Sequence, residues 1–201
     1  MIGVEHEDGL LILTLRRPEK ANSLTKAMLE ELDAILARTK AQAVILTGEG
    51  KVFSAGADLD EARAGLATDA VWDRLSNRLA GLPCLTIAAL NGTLAGGAMG
   101  MALACDLRIS VATAKVFYPV MRLGYLPQPA DPARLVALIG PARAKMILMA
   151  GTKIDADEAL TWGLIDRIVE PQALLETARA LCSDALAAKT GHAAAIKRLL
   201  A

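Results

Sequence analysis

Apolar residues fall along the chain in two patterns. Leu10–Leu15 (Leu-Leu-Ile-Leu-Thr-Leu) is a short continuous run of strand length, preceded by the turn signal Glu7-Asp8-Gly9. Past Arg16-Arg17-Pro18 the pattern changes. Met28, Leu32, Ile35 and Leu36 lie at i, i+4, i+7 and i+8, which predicts a helix from about Thr25 to Ala37 with one buried face. Ala43–Leu46 is the next expected strand, closed by Thr47-Gly48-Glu49-Gly50. A polar stretch from Leu59 to about Leu79 is expected to be helical. Cys84–Leu90 then predicts a strand entering a glycine-rich segment, a helix follows at about Ala98–Ala104, and Asp106–Val111 is a further strand.

The second half is mainly helical by pattern. Asp131-Pro132 and Gly140-Pro141 bracket one short helix, with Asp131 as the expected N-cap, and a second runs from about Ala142 to Ala150. Asp155 with Glu158 resembles a capping box, and Gly163 ends that helix. Leu164–Val169 is an expected strand, and the remainder is alanine-rich helix. Short strands alternating with helices indicate an α/β layered fold.

Composition narrows the function classes. The chain has 201 residues with 22 basic against 22 acidic side chains, so its formal charge is zero and one domain (1–201) is expected. Of the 54% apolar residues, 39 are alanine, so the larger apolar side chains are in the ordinary globular range. Aromatics are only 3%, without a basic groove beside them, which argues against nucleic-acid binding. Cys84, Cys105 and Cys182 form no C-x-x-C, so they read as packing thiols in a reducing compartment. The only histidines, His6 and His192, lie far apart, and no metal site is expected. Acid stands where a signal peptide needs base, so a cytoplasmic location is expected.

Leu79–Cys105 tests the last inference, because these 27 residues carry no charge. The stretch also holds Pro83, Asn91 and five glycines, breaks that would leave unpaired backbone groups in lipid. It reads as buried strand, turn and helix, and no membrane span is expected.

Two segments keep backbone accessible: Phe53-Ser54-Ala55-Gly56-Ala57-Asp58-Leu59 and Asn91-Gly92-Thr93-Leu94-Ala95-Gly96-Gly97-Ala98. Small side chains let a ligand reach main-chain N–H groups, and N–H groups at a helix start suit a developing oxyanion. Glycines that merely permit close helix packing are the plainer alternative. Arg17-Pro18-x-x-x-Asn22-Ser23-Leu24, the run Val44 to Leu59, Ile87 to Gly97, Cys105-Asp106-Leu107-Arg108 and Ala156 to Asp166 together resemble the crotonase (enoyl-CoA hydratase/isomerase) superfamily.

That resemblance implies repeated ββα turns (1–140) with a shortened helical C-terminal region (141–201), whose cap is reduced or borrowed from a neighbour. It implies a homotrimer or dimer of trimers, and a coenzyme A thioester as substrate with no permanently bound cofactor. By motif position the two oxyanion donors are Ala57 and Gly97. The coenzyme would run along Arg17, Lys20, Ala21, Lys26, Ala55, Ala57, Asp58 and Leu59, with Arg16 nearby. Asp58 also reads as the cap of the helix that follows it.

The hydratases of this family use two glutamates. Here the matching positions are Gly100 and Val120, so ordinary hydration or double-bond isomerisation is not expected. Asp131, Tyr118 and Tyr125 are the candidates for acid/base work, while Gln128 can orient water but not act as a base. Each also has a plain structural reading: a helix cap for Asp131, hydrogen-bonded packing for the tyrosines. The expected function is acyl-CoA chemistry through an enolate, decarboxylation included, by a lyase or isomerase in fatty-acid-type metabolism. A non-catalytic acyl-CoA-binding homologue is the alternative.

Overall fold

Three times along the chain a longer strand is followed by a three-residue strand and then by a helix. The computed structural model describes residues 1–200. β1 (Ile2–Glu7) and β2 (Leu10–Leu15) form a hairpin leading to α1 (Lys26–Arg38). The repeat then begins: β3 (Ala43–Gly48) and β4 (Val52–Ser54) lead to α2 (Leu59–Arg63) and α3 (Val71–Ala80). β5 (Leu85–Leu90) and β6 (Thr93–Ala95) lead to α4 (Met99–Ala104). β7 (Leu107–Val111) and β8 (Lys115–Phe117) lead to α5 (Val120–Leu123) and α6 (Asp131–Leu148). β9 (Ile154–Asp155), α7 (Ala156–Trp162), β10 (Arg167–Val169), α8 (Leu174–Ala187) and α9 (His192–Leu199) complete the order.

The five longer strands and the three-residue β10 build a six-stranded sheet, β1-β2-β3-β5-β7-β10, and the remaining short strands a four-stranded sheet, β4-β6-β8-β9. Within the first sheet β2, β3, β5 and β7 are parallel, with Leu11 opposite Val44 and Ile45 opposite Ile87. Its two faces serve two separate cores. Leu11, Leu13, Leu15, Leu46 and Leu90 meet α1, α3 and α4, whereas Leu10, Ile12, Ile45, Ile87 and Ile109 meet Leu174, Ala178 and Cys182 of α8. Burial on both faces is why Leu10–Leu15 is apolar at every position but Thr14 rather than alternating. Each fully buried Leu or Ile adds about 1.5–3 kcal/mol of burial.

Several elements differ from the sequence pattern. β1 is exposed on both faces from Val4 to Glu7, the mark of an edge strand, and has no alternation strong enough to announce it. β4, β6 and β8 are three residues each, too short for periodicity. The expected helix 59–79 is broken: Gly65 takes φ +114 and a 3-10 turn separates α2 from α3. The strand expected at Leu164–Val169 is only Arg167–Val169. Between the two expected helices at 131–150, Gly140 (φ 77, ψ 164) does break the helical path. Asp155 accepts from the Glu158 N–H at 2.9 Å, and Gly163 closes α7 in the left-handed region.

The uncharged stretch 79–105 is the end of α3, then β5, β6, α4 and their connections, and among the described residues no helix is long and apolar enough to cross a membrane. All three thiols are buried, and burial pushes Cys84 and Cys182 up to about 11 and Cys105 to about 12, so they pack rather than react.

Candidate active site

β4 and β6 each end in a turn, and the two turns touch. A Cβ on Gly56 would lie 2.9 Å from the Ala95 carbonyl oxygen and 3.2 Å from Gly96 Cα. Gly56 (φ +94) and Gly96 (φ +57) both take backbone angles that side chains resist, so glycine is required for shape and for approach.

The segment 21–24 lies alongside the first turn. Ala55 N–H donates to Ala21 O at 2.9 Å, Leu24 N–H to Gly56 O at 2.7 Å, and Asp58 N–H to Leu24 O at 2.8 Å. This parallel bridge uses the residues on either side of Ala57, which turns the Ala57 N–H away from Leu24. That N–H donates to no acceptor among the described residues. Neither does the Gly97 N–H, which sits in the first turn of the 3-10 segment leading into α4, where amides lack internal partners.

Three polar side chains that the sequence offered only as motif letters hold these turns. Asn22, fully buried at φ 51, donates to the Glu49 and Val52 carbonyls (2.9 and 2.7 Å) and accepts from the Arg17 N–H (2.8 Å). Asn91 accepts from the Gly48 N–H and donates to Gly50 O, while the Ser54 hydroxyl donates to Asn22 O. Trp72 belongs to no motif in the sequence and still packs against the second turn. Its indole N–H donates to Leu66 O at 2.8 Å, and its ring lies where a Cβ on Gly97 would be 3.2 Å away. The available signal was that it is one of two tryptophans in an aromatic-poor chain.

A cavity of about 260 Å³ opens beside the two turns. Ala55, Ala57, Gly96 and Gly97 line one side, and Phe117, Tyr118, Val120, Tyr125 and Gln128 come from the β8–α6 region. Leu59 borders it and is largely exposed. Arg122 is the one charged residue of the lining among the described residues.

Asp131 corrects its expected role. Ala130 takes the cap position without a side-chain bond, and Asp131 is the first helical residue, with its carboxyl turned inward. It is 1% exposed; Oδ2 accepts from the Tyr118 hydroxyl at 3.0 Å and Oδ1 has no partner among the described residues. Burial pushes its pKa up to about 6, helped by the Asp73 charge and opposed by the Tyr118 hydrogen bond and by Arg134. Burial, then the Asp131 charge, also holds the Tyr118 phenol far above its ordinary range. Gly100, on α4, is the reason the carboxyl fits: a Cβ there would lie 2.7 Å from Asp131 Oδ1. Val120 is buried in the pocket wall, and Tyr125 is half-exposed at its edge.

The basic residues are mostly engaged. The Arg17 guanidinium donates to Asp58 Oδ2 (2.8 Å) and to Ser23 O (3.1 Å), and with the N–H groups of Glu61 and Asp60 it holds the Asp58 carboxyl below its ordinary value. Asp58 also caps α2, as expected. Lys26 pairs with Asp69 at 2.7 Å, and Arg16 lies near Glu5 and Glu49. Lys20 is exposed and forms no ion pair among the described residues.

A sequence profile described as enoyl-CoA hydratase/isomerase matches residues 5–201. The chain belongs to the enoyl-CoA hydratase/isomerase family. The short-chain-enoyl-CoA hydratase of Clostridium acetobutylicum is 34% identical over 190 residues, 90% of this chain and 73% of its own. The 4-chlorobenzoyl coenzyme A dehalogenase-2 of an Arthrobacter species is 34% identical over 180 residues, 83% of this chain and 65% of its own. The crystal structure of the Bacillus anthracis enoyl-CoA hydratase superposes with a TM-score of 0.90 at 33% identity, covering 99% of this chain and 81% of that one. The fold is therefore that of the enoyl-CoA hydratase/isomerase family, with a helical C-terminal region, and the chain is an acyl-CoA enzyme of that family.

Proposed function

We propose that this chain converts a coenzyme A thioester through an enolate whose oxygen accepts from the Ala57 and Gly97 N–H groups, the enolate being generated by loss of carbon dioxide. The observation that carries the reading is the pair of N–H donors without partners among the described residues, on touching turns, beside a pocket to whose lining no described residue brings a carboxylate. Preorganised donors aimed at developing charge are the largest single contribution in many enzymes. Decarboxylation needs no base: the C–C bonding pair stays on the acyl fragment as the enolate, carbon dioxide leaves, and one proton is then taken up at carbon. Tyr118 and Tyr125 are the pocket's phenol donors, and Asp131 stands behind Tyr118.

Gly100 and Val120, at the positions that match the family's two glutamates, support the choice against hydration. The nucleotide end would lie along Ala21, Ala55 and Leu59, with Lys20 the cation left unpaired for a phosphate and Arg17 shaping the loop. Assembly as a trimer or pair of trimers, in the cytoplasm, goes with this reading.

A second reading, a non-catalytic acyl-CoA-binding protein, is favoured by one observation: the buried carboxyl of Asp131 does not reach the pocket. Incubation with crotonyl-CoA, malonyl-type CoA esters and aromatic CoA esters, followed by mass detection, separates the two. Carbon dioxide loss from a malonyl-type ester is the expected result. Measurable affinity with no product from any ester favours the binder, and rapid hydration of crotonyl-CoA overturns the role given to Gly100 and Val120.

A further inference from the structure

Tyr118 stands between the pocket and a carboxyl that the pocket does not touch. Its phenol oxygen lies 3.0 Å from Asp131 Oδ2 and accepts from the Gln128 N–H at 3.3 Å. A phenol has one hydrogen to donate and two acceptor sites. With Asp131 ionised, the phenol hydrogen is committed to Oδ2, and Oδ1 is left bare in a buried place.

With Asp131 protonated, the acid hydrogen occupies the same 3.0 Å line and points at the phenol oxygen. The Gln128 N–H stays on the phenol oxygen, and the phenol hydrogen, released from Oδ2, is free to turn toward the pocket that Tyr118 lines. Oδ1 is then a neutral carbonyl oxygen, far cheaper to leave without a partner than a share of a negative charge. One set of heavy-atom positions serves both proton arrangements.

We propose that Asp131 is a positioning residue that sets the direction of the Tyr118 hydroxyl: protonated, it makes that hydroxyl a donor to a thioester whose acyl group carries an acceptor oxygen at its β position, and ionised it withdraws the donor. The ligand class rests on the acyl-CoA reading above; the proton arrangement does not.

The surroundings fit such a changeover. Asp73 of α3, fixed by the Ala130 N–H and by Asn77, repels an ionised Asp131. Arg134, one turn along α6, opposes it, but its guanidinium is spent on Ser76 and Asn77. On α4, Gly100 faces the carboxyl and has no side chain to satisfy Oδ1. Burial puts the Asp131 changeover at about pH 6, below neutrality and within reach of a ligand that favours the protonated form.

The test compares acetoacetyl-CoA, which has a β-oxygen, with butyryl-CoA, which has the same chain length without one. Calorimetry between about pH 5 and 7.5 should show acetoacetyl-CoA affinity falling by roughly tenfold as Asp131 ionises, proton uptake on binding near neutrality, and a flat butyryl-CoA profile. Asp131→Asn, whose amide donates to the phenol oxygen at every pH, should keep the low-pH affinity and lose the slope. Tyr118→Phe should stay at the weak, high-pH value throughout. In the free protein, the Tyr118 Cζ resonance should titrate together with the Asp131 carboxyl carbon and become pH-independent in Asp131→Asn. A slope or a Tyr118 titration that survives in Asp131→Asn overturns the proposal. Failure of both thioesters to bind, with the Tyr118 titration intact, removes the acyl-CoA reading and leaves the proton arrangement standing.

Discussion

The Gly100 Cα and the Asp131 carboxyl share one small volume: a Cβ on the glycine would stand 2.7 Å from Oδ1, closer than side chains approach. Gly100→Ala should therefore destabilise the protein by about 1–3 kcal/mol, the usual range for overpacking a filled site. In an Asp131→Ala background the same change should cost little, because the obstructing oxygen is gone. Chemical denaturation of the four proteins of this cycle gives the coupling directly. Additive effects would mean that the carboxyl moves aside freely.

The buried acid also makes stability depend on pH. The folded-state pKa of Asp131 is raised from 3.8 to about 6, so its contribution is fully present below the unfolded value and lost as pH rises through about 6. Between pH 5 and 7.5 this group alone should cost about 1–2 kcal/mol by proton linkage. Thermal melts of the native chain and Asp131→Asn across that window should differ in slope, the variant being flatter. Asp33 and Asp58, held low by arginine partners, act in the opposite sense, and their contributions are lost only as pH falls below the ordinary carboxylate range.

Gly97 separates a steric effect from loss of a donor. Alanine and proline both add a Cβ about 3.2 Å from the Trp72 ring, but only proline removes the N–H. Gly97→Pro should lower kcat by roughly a hundred- to a thousandfold, the loss typical of one such donor, while much of the nucleotide affinity survives. Gly97→Ala should lose far less. Equal losses in the two variants would assign the effect to Trp72 and not to the amide.

Asn22→Ala should be costly although Asn22 lies outside the pocket lining. It removes donors to two carbonyls and an acceptor for the Arg17 N–H, at a fully buried site. A loss of about 2–4 kcal/mol is expected from groups left unsatisfied. Weaker thioester binding should accompany it, since the Ala55–Ala57 turn hangs from this segment. Denaturation and calorimetry on the same variant test both.

Much of this architecture was legible where burial wrote a long signal. Leu10–Leu15 announced a strand because both of its faces are covered, and Met28 with Leu32 announced the buried face of α1. Three-residue strands such as β4 and β6 leave no periodic trace, and they are the strands that deliver the two donor turns. The turns were found by glycine content, not by strand pattern.

Asp131 shows the opposite failure. Asp before Pro at a helix start is sound local grammar for a cap, and a vacancy on a helix 31 positions earlier overruled it. Arg17 likewise stands in the sequence only as a residue along the coenzyme path, because its closure on Asp58 spans 41 residues and only folding brings them together. Local chemistry was readable; which groups satisfy one another was not.

At Gly56 and Gly96 main chain meets main chain, with no side chain between them to take up a change on either side. Each turn is thus the other's mould. A recombination event that imported one strand-turn-helix unit from a relative would bring half of a matched surface and shift both amides at once. A change in the backbone of either turn is therefore felt at both donor amides.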